Sequence, residues 1–214
     1  MKAVAILNPG LESRLALIET PRPTPQSGEV LIRVRAAGVN RGDLLQRQGR
    51  YPPPAGAPPF PGLEAAGEIV ALGNGTEGFS VGDRVCALLS GGGYAEYVTT
   101  PEGLCFKLPP NLSNADAAAL PEALFTLWDN VFRRGKLTRG ETLLVQGGTS
   151  GIGMLTIPIA RHFGTRVIAT AGNEDKCAAL KKLGALPICY RSEDLRARVL
   201  SLTNDQGVDV ILDL

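Results

Sequence analysis

Residues 147–153 of the sequence, GGTSGIG, form a glycine-rich run of the kind that binds phosphate groups. Glycines allow the chain to turn sharply and to approach a pyrophosphate, whose charge is stabilised by the unpaired N–H groups at a helix start. Gly148 and Gly153 occupy the first and third places of the G-x-G-x-x-G pattern, but Ser150 stands in the second, so the strict pattern fails. The run predicts a dinucleotide site, and a glycine-rich turn without a ligand is the alternative.

The end of the next strand-like stretch indicates which dinucleotide would bind. NAD sites place a carboxylate about 20 residues past the glycine turn, where it accepts a hydrogen bond from the ribose 2′-hydroxyl. Residues 170–173 contain no carboxylate, and the first one, Glu174, is explained by the start of a helix. Lys176, Tyr190 and Arg191 would suit a 2′-phosphate, although ordinary solvation of a helix would also explain Lys176. NADPH is therefore predicted rather than NADH.

Candidate metal ligands are scarce. Catalytic zinc needs three Cys, His or carboxylate ligands in one cleft, and the sequence has a single histidine, His162. That residue lies near the end of the helix after the glycine turn, where an interaction with the helix C-terminus explains it. The four cysteines are scattered without a C-x-x-C pair, which favours small buried side chains over a disulfide framework or a structural zinc site: Cys86, Cys105, Cys177 and Cys189. We expect no bound metal.

Length and composition exclude several classes of protein. The 214 residues suit one large domain or two small ones, and 22 Lys plus Arg against 21 Asp plus Glu leave no basic face for nucleic acid. No apolar run approaches the roughly 18 residues that a membrane helix needs, and the N-terminal stretch is too short for a signal peptide. A soluble, cytoplasmic protein without nucleic-acid or membrane partners is expected.

The elements that would position these residues form two modules, predicted as residues 1–120 and 121–214. The first is mostly β, with short strands separated by Pro, Gly and Asp at residues 2–7, 14–19, 29–37, 67–72, 84–89 and 94–99. In the third strand, Val30, Ile32 and Val34 alternate with Arg33 and Arg35, which predicts one buried face. Residues 51–61 contain six prolines among eleven residues and are expected to form a stiff surface loop.

The second module begins where the pattern changes to helix. Ser113 and Asp116 have the spacing of a capping box, and Pro121 opens a helix over residues 122–132. A strand–helix–strand unit spans residues 141–176, and Asn173 caps the following helix. A strand at 187–190, a helix capped by Ser192 and a strand at 208–212 complete a parallel, doubly wound sheet with four of the usual six strands.

Several motifs together resemble the zinc-free quinone oxidoreductase branch of the medium-chain dehydrogenase/reductase superfamily. They are GVNRGDLLQRQGRYPPP at residues 38–54, PGLEAAGEIVALG at 61–73, GDRVCALLSGGGYAEYV at 82–98, PEALFTLWDNVF at 121–132 and GETLLVQGGTSGIG at 140–153. The resemblance covers essentially the whole chain and implies a GroES-like catalytic module followed by a Rossmann domain that is incomplete. Family members are about half as long again, so the chain is expected to be their first two-thirds.

The resemblance also implies the residues of the active site. In zinc-dependent relatives the metal ligands fall at Asn40 and Leu63, neither of which can bind zinc here. Catalytic positions near the nicotinamide are Asn40, Asp43, Gln46 and Tyr51, with Tyr51 the best donor to a quinone oxygen. Alternatively, Tyr51 packs on the neighbouring prolines, Asn40 and Asp43 are turn and cap residues, and Gln46 is a solvated helix position.

The predicted cofactor-binding residues come partly from the glycine run and partly from the resemblance. The resemblance adds Thr126 and also supports Lys176 and Tyr190. Where the family commonly has glutamine, this chain has Pro158, which removes a helix hydrogen bond and is a residue type that can kink a helix. The predicted cofactor-binding residues are Thr126, Gly148, Thr149, Ser150, Gly151, Ile152, Gly153, Gly172, Asn173, Lys176 and Tyr190.

The leading hypothesis is therefore reduction of a quinone by NADPH without zinc, with one- or two-electron transfer left open. Reduction of the C=C bond of an enal or enone requires the same hydride geometry and is the second hypothesis. A non-catalytic NADP-binding or redox-sensing protein is the third. Full-length relatives are expected to be homodimers, and a sheet without its last strands is expected to expose an edge and to aggregate or oligomerise.

Overall fold

The computed structural model describes all residues from 1 to 214, and contacts between residues divide them into two compact units, Met1–Glu122 and Ala123–Leu214. The sequence-based junction lay after residue 120. None of the helices combines the length and apolar character that crossing a bilayer requires.

The first unit is built on a five-stranded antiparallel sheet. The strands in chain order are Lys2–Leu7 (β1), Arg14–Glu19 (β2), Glu29–Ala37 (β3), Glu64–Leu72 (β4), Arg84–Leu88 (β5), Tyr97–Pro101 (β6) and Cys105–Lys107 (β7). Strands β1 and β2 form a separate two-stranded ribbon, and the sheet has the order β6-β3-β4-β5-β7. Val30 and Ile32 are fully buried in its core, as the alternation in β3 predicts, while Arg33 on the opposite face pairs with Glu68 at 2.7 Å.

Two short helices complete the first unit, Arg41–Arg47 (α1) and Asn114–Ala117 (α2), together with a 3-10 turn at Glu102–Leu104. Ser113 caps α2 by accepting a hydrogen bond from the Asp116 amide at 3.1 Å, which confirms the predicted cap. The proline-rich loop at residues 51–61 has no regular structure, but its end is buried at Phe60 and Pro61 rather than exposed.

The second unit is a parallel sheet with helices. Its strands are Thr142–Val145 (β8), Arg166–Ala171 (β9), Leu186–Cys189 (β10) and Val210–Leu212 (β11), and its helices are Gly151–His162 (α4), Glu174–Lys182 (α5) and Leu195–Leu202 (α6). A helix at Pro121–Leu127 (α3) and a π-helical segment at Trp128–Arg134 precede them. The sheet order is β10-β9-β8-β11, all parallel.

Both faces of this sheet are buried. Leu143 and Val145 belong to one core cluster, and Leu144 lies in a second cluster with Ile168 and Ile188. Burial on both faces is typical of doubly wound sheets, and the order 3-2-1-4 places the change of winding direction beside the first strand, β8. The fold class predicted from the sequence, a mostly antiparallel module followed by a parallel α/β module, is confirmed.

Three local predictions were wrong. Asp194, not Ser192, caps α6, because its carboxylate accepts from the Ala197 amide at 2.7 Å while the Ser192 amide closes a turn on the Cys189 carbonyl. Strand β6 begins at Tyr97 rather than at Tyr94, whose amide bonds to the Pro61 carbonyl instead. The helix expected over residues 122–132 changes to π geometry after Leu127, and the Gly135 amide donates to the carbonyl five residues back.

Helix α4 remains continuous through Pro158. Proline has no N–H to donate to the Met154 carbonyl, so the helix lacks one of its backbone hydrogen bonds. Since Pro158 is exposed, Pro158→Ala should restore that bond and raise the free energy of unfolding by about 1 to 3 kcal/mol. Urea unfolding measures the change. Pro53→Ala in the exposed loop is the control and should not stabilise, whereas equal or lower stability of the Pro158 variant would contradict the prediction.

Candidate functional site

The glycine run connects β8 to α4 and leaves free amides at the helix start. Ser150 is the N-cap of α4, and its hydroxyl oxygen accepts from the Gly153 amide at 3.0 Å. The amides of Gly151 and Ile152 precede the Met154 amide, which is the first donor of the helix and bonds to the Ser150 carbonyl at 2.9 Å. These two donors, with the positive end of the helix dipole, form an anion site that fits a pyrophosphate.

The three glycines flanking these amides have separate packing roles. A Cβ on Gly148 would lie 2.9 Å from the Ala169 Cβ, so this glycine lets the turn lie against β9. A Cβ on Gly153 would lie 2.7 Å from the Gly147 carbonyl oxygen, so the helix approaches the turn closely only without a side chain there. Gly147 itself has a φ of 73°, in the left-handed region that favours glycine.

Thr170, at the end of β9, holds the turn in place. Its hydroxyl oxygen accepts from the Gly147 amide at 3.1 Å, and its carbonyl accepts from the Gly148 amide at 3.0 Å. The residue is 3% exposed. From the sequence, Thr170 was interpreted only as part of a neutral turn. A hydroxyl residue within an otherwise apolar parallel strand was the signal that it holds the glycine turn.

The expected 2′-phosphate site lies where β9 and β10 end. A Cβ on Gly172 would lie 2.8 Å from the Tyr190 hydroxyl and 3.5 Å from Nε of Arg191, so both side chains cover this glycine. Asn173 caps α5 through the Lys176 amide at 2.9 Å, which commits its side-chain oxygen to the helix. Lys176 is exposed in the first turn of α5. The atoms nearest to a Cβ on Gly172 belong to a phenol and a guanidinium and not to a carboxylate. These groups suit a phosphate better than a ribose hydroxyl.

Thr126 lines a cavity of about 320 Å³ in the second unit, together with Asn130, Val131 and residues 210–214. Leu214 of this lining would lie 3.6 Å from a Cβ on Gly147, so the cavity adjoins the glycine run. The Thr126 carbonyl accepts from Nδ2 of Asn130 at 2.8 Å. Thr149 is half-buried within the glycine run.

In the first unit, Asp43 is a buried anchor for three segments. Its carboxylate accepts from the Asn40 amide at 2.8 Å, the Gly62 amide at 2.9 Å and the Tyr94 hydroxyl at 2.9 Å. Burial, followed by the hydrogen bond to Asp43, raises the pKa of Tyr94 far above that of a free phenol. All three hydrogen bonds of Asp43 therefore hold the loops around α1, which agrees with the alternative that Asp43 is a turn and cap residue. A role of Asp43 in catalysis stays a prediction.

A second buried carboxylate, Glu64 on β4, was not predicted from the sequence. Its Oε1 accepts from Nδ2 of Asn40 at 2.8 Å and its Oε2 from the Glu122 amide at 2.9 Å. Burial raises the pKa of Glu64, and the pKa of Glu122 is raised by burial and by the charges of Glu64 and Asp43. An acidic residue at the start of the otherwise small and apolar stretch Glu64–Gly67 was the signal in the sequence.

Tyr51 is the first residue of the proline-rich loop, and Gln46 lies in α1. The Tyr51 side chain is 44% exposed, and its ring would be 3.7 Å from a Cβ placed on Gly42. The same Cβ would lie 2.6 Å from Cδ1 of Leu63, so Tyr51 and Leu63 both lie against α1 at Gly42. Gln46 is half-buried, and its backbone carbonyl accepts from the Gly49 amide at 2.9 Å.

The side chains present form no cluster of metal ligands, and burial raises the pKa of three thiols. No group of three or more His, Cys, Asp or Glu residues is placed to hold an ion, and Leu63 has no donor atom. Burial raises the pKa of Cys86 and Cys177 to about 11 and that of Cys105 to about 12, which suppresses the nucleophilic thiolate at neutral pH. His162 is exposed at the end of α4, with its ring against Phe163.

Two family models match separate parts of the chain. Residues 26–110 match the family described as "Alcohol dehydrogenase GroES-like domain", and residues 151–214 match "Zinc-binding dehydrogenase". The chain is 36% identical over 206 residues to a phenolphthiocerol/phthiocerol polyketide synthase polypeptide of Mycobacterium tuberculosis, covering 96% of this chain and 9% of that protein. It is 36% identical over 194 residues to the quinone oxidoreductase of Rattus norvegicus, covering 90% of this chain and 59% of the relative.

A solved structure gives the same picture. The Escherichia coli quinone oxidoreductase in complex with NADPH has a TM-score of 0.81 to this chain at 28% identity, covering 99% of this chain and 65% of its own. The chain therefore spans less than two-thirds of the quinone oxidoreductases that it matches, and a small part of the polyketide synthase.

Proposed function

The chain belongs to the medium-chain dehydrogenase/reductase superfamily, in its quinone oxidoreductase branch, and on that basis we propose that it reduces quinones with NADPH and without zinc. The observation that carries the proposal is the nucleotide site of the second unit. The free amides at the start of α4 fit a pyrophosphate, and Tyr190 and Arg191 cover Gly172 where an NAD site would present a carboxylate.

When bound, the nicotinamide supplies hydride, so the protein has to bind, orient and stabilise charge. We assign cofactor binding to the glycine run, Gly172, Lys176 and Tyr190. In the first unit, Tyr51 donates its O–H to the quinone oxygen on which negative charge develops, and Asn40 provides a fixed amide. The side chains that would hold zinc in the zinc-dependent relatives are absent, so no step passes through a metal.

A second candidate function is reduction of a C=C bond conjugated to a carbonyl. The similarity to a polyketide synthase favours it, and the required hydride geometry is the same. The two activities differ in the atom that receives the hydride. In both, Tyr51 would stabilise an oxyanion, as a phenolate in one case and as an enolate in the other.

The experiment that tests the proposal follows NADPH oxidation by the full natural protein with a panel of quinones and, separately, of enals and enones. We expect turnover with at least one quinone, and turnover with enones alone would select the second function. A cofactor-binding protein inactive on both panels would be a non-catalytic NADP-binding protein, and the proposed activity would be wrong. We also propose a homodimer in the cytoplasm, where four free thiols would remain reduced.

Tyr51→Phe tests the donor role directly. Losing one hydrogen bond to developing negative charge should lower kcat with the quinone about tenfold. The Kd for NADPH should not change, because the phenyl ring keeps the shape of the side chain. Tyr97→Phe is the control, since its ring contacts Arg22 on a different part of the first unit. An unchanged kcat in Tyr51→Phe would support the alternative in which the ring only packs on the loop.

A further inference from the structure

Glu64 is the buried carboxylate of the first unit to which the proposed function gives no role. It is 3% exposed, and no Lys, Arg or His side chain is recorded within hydrogen-bond distance of it. Burying a carboxylate is costly unless its oxygens are satisfied. We propose that Glu64 is a positioning residue for the reaction, acting through Asn40 by fixing which end of the Asn40 amide points toward α1. This inference rests on the proposed function for its effect on turnover.

The space for this carboxylate is built into the backbone. A Cβ on Gly38 would overlap Oε1 of Glu64 and lie 2.7 Å from the Ala118 carbonyl oxygen, so glycine at this position leaves room for the carboxylate. Oε2 is held by the Glu122 amide, which can only donate. With one oxygen committed in this way, the orientation of the carboxylate is fixed, and Oε1 is directed at Asn40.

The contact with Glu64 selects one orientation of the Asn40 amide. Nδ2 donates to Oε1 of Glu64 at 2.8 Å. Asn40 is also the N-cap of α1, where the Asp43 amide donates to the Asn40 backbone carbonyl at 3.2 Å and the Asn40 side chain makes no cap hydrogen bond. An asparagine amide can rotate by half a turn at little cost unless its partners distinguish oxygen from nitrogen. A carboxylate can only accept, so only the orientation with Nδ2 toward Glu64 makes this bond.

Glu64→Gln keeps the size of the side chain but breaks this selection. The glutamine oxygen would accept from the Glu122 amide, and its NH₂ group would then face Nδ2 of Asn40, donor against donor. Asn40 must either lose that contact or rotate so that its Oδ1 accepts from the glutamine NH₂ group. In both cases the amide is no longer held in its wild-type orientation, while the volume of the core is unchanged.

A double-mutant cycle distinguishes positioning from a merely structural role. Glu64→Gln and Asn40→Ala should each lower kcat about tenfold to a hundredfold, with the Kd for NADPH unchanged. Because Glu64 acts through Asn40, the double variant should be no slower than Asn40→Ala alone. Glu141→Gln is the matched control, since that carboxylate also accepts from a backbone amide, Thr138 at 2.7 Å, in the second unit; its kcat should equal that of the wild type.

The side-chain NH₂ resonances of Asn40 give a readout that does not depend on activity. In the wild type one Nδ2 proton should be protected from exchange, and in Glu64→Gln it should exchange faster. If the wild type turns over no substrate, the proposed function fails and exchange alone decides whether Glu64 holds the amide. An active wild type with unchanged kcat in Glu64→Gln, or losses that multiply in the double variant, would overturn the inference. Should Glu64→Gln not fold, Glu64→Asp, which shortens the reach, should show the same loss of kcat.

Discussion

Gly153→Ala should weaken NADPH binding about 100-fold, which corresponds to about 2.7 kcal/mol. The added Cβ would lie 2.7 Å from the Gly147 carbonyl oxygen and 2.8 Å from Cα of Gly148, which are backbone atoms that cannot swing aside. Either the start of α4 or the turn must move. The amides of Gly151 and Ile152 would then no longer converge on one phosphate, and the overpacked turn should also lose stability.

Isothermal titration with NADPH measures this loss, and thermal unfolding separates it from simple misfolding. Gly103→Ala is the control for binding, because nothing lies within 4 Å of a Cβ at that position of the first unit. Gly151→Ala is the control for stability, since it adds the same methyl group to the same helix in open space and should not lower Tm. Wild-type affinity in Gly153→Ala would contradict the role assigned to the turn.

Arg191→Glu should change the preference for cofactor. The substitution replaces a cation beside Gly172 with a carboxylate, which repels a 2′-phosphate and can accept from a ribose 2′-hydroxyl. The Kd for NADPH should rise about 100-fold, because a hydrogen bond between charged groups is lost. The Kd for NADH should stay the same or fall. Lys176→Glu should act in the same direction.

The ratio of the two dissociation constants is the informative quantity, because a general loss of stability would raise both. Arg196→Glu provides the control, since it makes the same charge change at an exposed position five residues further along the chain. It should leave the ratio as in the wild type. An equal rise in the Kd values for NADPH and NADH in Arg191→Glu would show that Arg191 does not bind the 2′-phosphate.

Much of the fold was predictable because its signals are local. The alternation in β3, the apolar runs of β8 and β9, and the capping residues Ser113 and Asn173 each specify an element without reference to the rest of the chain. The errors occurred where a tertiary contact decided the outcome. Tyr94 has a strand-like sequence around it, but its hydroxyl bonds to Asp43 and its amide to the Pro61 carbonyl, so β6 starts later.

The candidate site was only partly predictable for the same reason. The glycine run and the turn at Gly172 are short motifs, so their positions follow from spacing alone. The contact of Glu64 with Asn40 joins residues 24 positions apart, and it depends on the room left by Gly38 and on the antiparallel pairing of β3 with β4. No pattern within one element contains that information.

Steady-state oxidation of NADPH by the full natural protein should be measured with and without a strong metal chelator. We expect turnover with a quinone acceptor that the chelator leaves unchanged, and a lower kcat/KM with NADH as the donor. Loss of turnover on chelation, or a clear preference for NADH, would contradict a zinc-free, NADPH-dependent oxidoreductase.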